Sequence, residues 1–181
     1  MHGKIGIESN FGKGSNFWFT VAFPAAVQQP QNLELESRRF LLGKKIALVE
    51  SNQIANFAFV KRIEHFKMMC ESTKIPPIAM STQRIMAKIF SEIQMFTDPE
   101  VIFIDHNELR GIDAAVIAEY IKQQVNLQNS ALVLMISTKD KINFPPEKLE
   151  LFNHILFKPF KSAKILGALF KIYNIENDDE N

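Results

Sequence analysis

Short apolar runs, each closed by a polar residue, recur between residues 43 and 175 and alternate with stretches of helical spacing. Lys45-Ile46-Ala47-Leu48-Val49 ends in Glu50-Ser51-Asn52, and Val101-Ile102-Phe103-Ile104 ends in Asp105. Ala131-Leu132-Val133-Leu134-Met135-Ile136 ends in Ser137-Thr138, and Ile155-Leu156-Phe157 ends in Lys158-Pro159. Continuous apolar runs of this length between breaks read as strands buried on both faces. Met68 to Ser72 reads as a weaker, edge-like strand. Four helical patterns separate or follow these runs. The first is capped by Ser51 or Asn52 and runs to about Phe66, with Ile54, Phe57, Ala58, Lys61 and Phe66 near helical spacing. The second spans Ser81 to Met95, after the break at Pro76-Pro77. The third runs from Asp113 to about Val125, apolar at Val116, Ile117, Tyr120 and Ile121, and the last is capped by Ser162 and runs to about Tyr173. A shorter helix starts at Pro145-Pro146 and continues through Phe152. Strands alternating with helices predict a three-layer α/β sandwich with a parallel sheet and right-handed crossovers.

The chain before residue 43 has a different texture. Gly3 to Ser9 alternates apolar and polar at period two, as a half-buried strand does. Asn10 to Ser15 is a Gly-rich turn, and Asn16 to Phe23 is an aromatic-rich strand, so residues 1–24 predict a β-hairpin that needs a partner for stability. Residues 25–42 are polar without a sustained period and read as a linker, with partner binding as the competing role. The end, residues 176–181, is acidic and reads as a disordered tail.

Composition narrows the functional classes. Twenty-one Lys and Arg balance 20 Asp and Glu, a net charge of +1, which gives no electrostatic reason to expect nucleic acid or an acidic membrane surface as partner. No apolar run approaches the roughly 20 residues that span a bilayer, and a cytoplasmic location follows by default. The single cysteine, Cys70, excludes an intrachain disulfide and a Cys-based metal site, and reads as a small core residue rather than a reactive thiol.

The chemistry is expected at the carboxyl ends of the strands, where ligands collect in open parallel sheets. Asp105 alone could simply cap the next turn. Together with Glu50, Ser137 and Lys158 it forms a candidate phosphoryl-transfer constellation. Asp105 would be the nucleophile, Ser137 and Lys158 would hold phosphoryl oxygens, and Glu50 with Asp105 would hold a Mg²⁺. In the hairpin, Gly12-Lys13-Gly14-Ser15 could cradle a phosphate or be a plain turn.

Two family resemblances sharpen this picture. The segment from Met1 to Ser9, followed by Gly12-Lys13-Gly14-Ser15-Asn16-Phe17-Trp18-Phe19, resembles the end of the ATP-binding domain of sensor histidine kinases. That resemblance implies that Gly12 and Gly14 are a remnant of the lid over the nucleotide phosphates. It also implies that the parts of the domain holding Mg²⁺ and adenine would lie before Met1, at an internal Met of a longer kinase. The segment should then neither bind ATP nor phosphorylate on its own, and ATP belongs to the complete parent kinase. Residues 43–175, ending in Leu156-Phe157-Lys158-Pro159-Phe160, resemble the response-regulator receiver domain, which is flavodoxin-like with strand order 2-1-3-4-5. The tandem order resembles hybrid, tripartite sensor kinases of the BarA/GacS type, in which a degenerate first receiver follows the ATPase domain. The implied partners are the kinase core, a second receiver and a histidine phosphotransfer domain.

Departures from the receiver pattern point away from phosphorylation. Ser51 stands where an active receiver has its second acid, and a hydroxyl supplies no charge to Mg²⁺. After Asp105 the chain runs His106-Asn107-Glu108-Leu109-Arg110-Gly111-Ile112, without the family's Met-Pro and Asp/Asn-Gly, and the aromatic switch position is Ile155. Glu108 or Asp113 could lend a substitute carboxylate, and His106 reads as a loop residue rather than a phosphorelay histidine. The expectation is a regulatory pseudo-receiver, not an enzyme and without its own cofactor. The alternative is a working receiver that takes a phosphoryl group on Asp105 from a phosphohistidine with Mg²⁺, and in the pseudo-receiver Lys158 is retained as an ion-pair partner of Asp105.

Overall fold

A computed structural model describes residues 3–24, 39–75, 80–107 and 109–175. The chain divides into two compact units, Met1–Asn32 and Leu33–Asn181. The expected linker residues 25–38, Glu108 and the acidic tail 176–181 lie outside the described residues.

The first unit is the predicted hairpin. Strand β1 (Ile5–Asn10) pairs antiparallel with β2 (Gly14–Phe19), with Ile7 opposite Phe17 and Gly6 opposite Trp18. The turn needs glycine: Gly12 and Gly14 have φ of 75° and 99°, the left-handed region that L side chains rarely adopt. Gly6 is needed for a different reason, since a Cβ there would lie 2.4 Å from the Trp18 ring. The half-buried character expected of the first strand is not found. Neither strand buries a residue, and Ile5 (84%), Phe17 (74%) and Phe19 (73%) are largely exposed. Alternation marks a surface suited to a core, but two strands cannot supply one.

The second unit has the predicted α/β order. After β3 (Lys45–Val49) come α1 (Gln53–His65), β4 (Met69–Ser72), α2 (Thr82–Ile93) and β5 (Val101–Asp105). Then follow α3 (Ala114–Lys122), β6 (Ala131–Ser137), α4 (Thr138–Asn143), α5 (Pro146–Leu149), β7 (His154–Lys158) and α6 (Ser162–Ile172). The five strands form one parallel sheet in the order β4-β3-β5-β6-β7, the flavodoxin-like arrangement. Val101, Ile102, Phe103 and Ile104 are fully buried, as the uninterrupted apolar run of β5 requires at the centre of a sheet covered on both faces.

One core layer joins Ile102, Ile104, Leu132 and Leu134 to Ile89 and Ile93 of α2 and Ile117 and Ile121 of α3. The other joins Ile46, Leu48 and Phe103 to Phe59 and Ile63 of α1 and Ile165 and Leu169 of α6. Alternate residues of each strand thus feed opposite layers.

The buried face of α1 differs in part from the expected one, since Phe66 at its end is buried as expected. Phe59 and Ile63 face the sheet, while Ile54 and Phe57 are 82% and 64% exposed. Apolar residues occupy two offset stripes of this helix, and the strands beneath decide which one is covered. Val116 is likewise exposed, and α3 seats itself through Ala114, Ala115, Ile117, Ala118 and Ile121. Asn52 and Asp113 cap their helices with side-chain oxygens, whereas Ser162 is the first residue of α6 and Lys161 precedes it without a side-chain cap. The helix α4 was not legible from periodicity because it buries no residue.

Candidate functional site

Strand register places the expected residues at one end of the sheet. Val49 lies beside Ile104, so Glu50 and Asp105 follow at the same level on adjacent strands. Asp105 lies opposite Met135, while Ser137 and Lys158 are paired further out on β6 and β7. The side chain of Lys158 reaches back and forms an ion pair with the Asp105 carboxylate. The Lys158–Pro159 peptide is cis.

Asp105 is 1% exposed and Glu50 2%, so both carboxyls lie in the low-dielectric edge of the core. They share a hydrogen bond with each other. Burial foremost, with the hydrogen bond to Asp105, pushes the Glu50 carboxyl up to about 8, against the opposing amide of Asn52 and charge of Lys158. At neutral pH Glu50 therefore favours its protonated form, whose O–H donates a hydrogen bond to Asp105. Asp105 Oδ1 also accepts the backbone N–H of Asn107 at 3.1 Å, an Asx turn that starts the following loop.

The frame around Glu50 is dense. Its Oε1 accepts the Asn52 amide at 2.6 Å, and Asn52 Oδ1 in turn accepts the amides of Ile54 and Ala55 at the start of α1. The Glu50 backbone exchanges two hydrogen bonds with the Thr73 hydroxyl, at 3.0 and 2.8 Å, and Asn56 Nδ2 donates to Thr73 O at 3.1 Å. Ser51 is buried beside it at 3% exposure. A cavity of about 360 Å³ opens on the β4 side, between these residues and Phe57 and Val60 of α1.

Ser137 belongs to a second cluster. Its hydroxyl accepts the Asp140 amide at 3.1 Å and donates to the Asp140 carboxylate, capping α4. Its own amide donates to Asn107 Oδ1 at 2.9 Å, and Asn107 Nδ2 donates to Asp140. The hydrogen bonds from Ser137 and Asn107 hold the Asp140 carboxyl below the usual range. The structure therefore brings Asp105, Glu50 and Lys158 together, and engages Ser137 in a neighbouring knot that ties the β5 and β6 loops.

Other expected residues are engaged elsewhere. Asp113 accepts from Lys148 at 2.6 Å and from the Ala115 amide at 2.9 Å. Burial works against its ionisation, and these contacts outweigh burial and hold it below the usual range. His106 packs its ring edge-on to Phe144 at 5.1 Å, and its Nδ1 accepts the Ala114 amide at 3.5 Å. Gly12 and Gly14 form the hairpin turn in the first unit. Thr73, Asn107 and Asp140 were missed by sequence reasoning. Asn107 and Asp140 had a local signal, an Asx turn two residues after Asp105 and a Ser-x-x-Asp capping pattern at Ser137. Thr73 had none.

No family model matches the chain. Among solved structures, the CheY-like receiver domain from Methylobacillus flagellatus superposes with a TM-score of 0.54 at 19% identity, covering 72% of this chain and 98% of that one. The receiver domain of sensor histidine kinase PA1611 from Pseudomonas aeruginosa PAO1, with a magnesium ion coordinated in its active-site cleft, gives 0.54 at 17% identity, over 73% and 98%. Full-length ShkA in complex with AMPPNP gives 0.57 at 20% identity over 98% of this chain. The chain spans 32% of the ShkA chain. The fold of the second unit is that of the receiver domains of two-component signalling.

Proposed function

We propose that residues 43–175 are a pseudo-receiver: an interaction and regulatory module of a hybrid sensor histidine kinase of the BarA/GacS type that does not take phosphate. The observation that carries this reading is the closed charge balance at Asp105. Its carboxylate is engaged by Lys158 on one side and by protonated Glu50 on the other, with Ser51 where a second acid would stand. Mg²⁺ requires hard anionic oxygens in a near-octahedral shell. The donor set is poor in such oxygens, because Ser51 supplies no charge and the Asp105 carboxylate is already paired with Lys158. The module would act by packing against the kinase core, the next receiver or a histidine phosphotransfer domain, on the cytoplasmic side of the membrane. The hairpin supports the kinase setting through its lid-like Gly12-Lys13-Gly14 turn and its unburied apolar surface, and the alignment with ShkA runs through both units. ATP binding and phosphotransfer would belong to the complete kinase.

The competing reading, a working phospho-acceptor, draws on Asp105, Ser137 and Lys158 at the carboxyl ends of their strands. An NMR titration with Mg²⁺ and beryllofluoride separates the two, run on the chain and on Asp105→Asn. The pseudo-receiver predicts no saturable shifts at residues 105, 137 and 158. Saturable shifts there that vanish in Asp105→Asn would establish a live acceptor and overturn this proposal.

A further inference from the structure

The cavity of about 360 Å³ beside Glu50 is bounded by α1 and by residues 72–75 at the end of β4. Its walls have two characters. Phe57, 64% exposed on α1, supplies an apolar surface together with Val60 and Ile75. Gln53, Asn56, Ser72 and Lys74 supply polar groups. Lys74 is the only cation among the described residues that line the cavity, and its ammonium has no hydrogen bond or ion pair among them. The only acid among them is Glu50, whose carboxyl is engaged by Asp105 and by the Asn52 amide. Strand β4 is the end of the sheet, and the Thr73 amide bonds inward to Leu48 O. Ser72 therefore turns its own amide outward, beside Lys74. The floor is fixed before any ligand arrives. The Thr73 hydroxyl exchanges two hydrogen bonds with the Glu50 backbone, and Asn56 donates to Thr73 O, so α1, β3 and the end of β4 are tied around the space. A preformed, largely apolar cavity with a few placed polar groups is the form that small-molecule sites take.

From this combination we infer that the α1–β4 cavity is a binding site for a small aromatic carboxylate. Size sets the body of the ligand: a cavity of about 150 Å³ takes one benzene ring, and this one has room for a fused pair of rings with a short arm. The Phe57 ring and Val60 give that body an aromatic and an aliphatic face to lie against. Charge sets the arm. One ammonium balances one negative charge, so Lys74 suits a carboxylate and not a polyphosphate. The outward amide and the hydroxyl of Ser72 are donors for the same oxygens. An exposed Lys–carboxylate pair alone is worth little, so binding needs the apolar wall and the ammonium together. The inference does not rest on whether Asp105 takes phosphate. It does give the domain a chemical input, because the ligand would lie against Thr73 and Asn56, which hold the Glu50 backbone in place.

The test is an amide NMR titration of the full chain with indole-3-acetate, and with indole-3-acetamide and tryptamine as probes of the same body without the negative charge. Indole-3-acetate is expected to shift residues 50–60 and 72–75 saturably. The acetamide should bind at least tenfold more weakly, and tryptamine should not bind. Lys74→Met keeps the stem and removes the charge at an exposed position, and should weaken binding of indole-3-acetate at least tenfold while the amide spectrum stays that of the folded domain. Phe57→Ala removes the exposed ring without touching the buried face of α1, and should weaken the acetate and the acetamide by a similar factor. Absence of saturable shifts, shifts confined to residues outside the two segments, equal affinity for the acetate and the acetamide, or an unchanged affinity in Lys74→Met would each overturn the proposal.

Discussion

Replacing Glu50 by Gln tests the charge arrangement at Asp105 directly. The carboxyl is buried and holds its proton up to about pH 8, against a value of 4.5 in an unperturbed glutamate. Between those limits the folded protein binds a proton that the unfolded chain releases. Stability from this group is therefore complete below pH 4.5 and is lost as pH rises toward 8, the reverse of a salt-bridged carboxylate. Each tenfold gain in proton affinity on folding is worth roughly 1.4 kcal/mol, so the loss over this window is on the order of several kcal/mol. A glutamine amide can donate to Asp105 and accept the Asn52 amide as the protonated acid does, yet it does not titrate. Guanidinium unfolding from pH 5 to 8.5 should show the unaltered chain losing stability as pH rises. Glu50→Gln should be flatter and more stable at the alkaline end. His154 contributes with the opposite sign, since its lowered value adds stability as pH rises through its titration, so the difference between the two chains is the quantity to read. Parallel pH profiles for the two chains would refute the protonated Glu50. So would unaltered-chain stability that rises from pH 5 to 8 when Glu50→Gln does the same.

Three further perturbations address the ion pair, the metal question and the lone thiol. Lys158→Met leaves the Asp105 carboxylate buried without its ammonium and should cost roughly 3–5 kcal/mol in denaturant unfolding; adding Asp105→Asn should recover most of it, and a single substitution costing under about 1 kcal/mol would contradict the pairing. Ser51→Asp supplies the missing second carboxylate and is expected to raise Mg²⁺ affinity at least tenfold in an NMR or calorimetric titration, whereas unchanged affinity would mean that charge is not what limits the site. Burial, with Glu64 and Glu71 nearby, pushes the Cys70 thiol up to about 12, so its reaction with a disulfide reagent at pH 8 should be roughly a hundredfold or more slower than that of a free thiol; a free-thiol rate would refute this environment.

The sheet was legible because a strand covered on both faces must be apolar throughout, and Val101 to Ile104 leave no other economical reading. The stops were legible because polar residues close each run where the chain leaves the core. The sequence by itself thus determined the alternating elements, the parallel sheet and the strand ends at which Glu50, Asp105, Ser137 and Lys158 stand. It could not determine which stripe of α1 is buried, since Ile54 and Phe57 compete with Phe59 and Ile63 and the choice depends on strands that are distant in sequence. Nor could it say that the β1–β2 surface stays uncovered within its unit, because alternation records suitability for a core and not the presence of one. Only the tertiary structure decided the state of the site. It placed the Glu50 carboxyl against Asp105 rather than water, turned Lys158 back onto Asp105, and engaged Ser137 with Asp140 and Asn107. The physical reason is that protonation and ion pairing depend on burial and on charges a few ångströms away in space, and those neighbours come from separate strands whose spacing along the chain carries no such information.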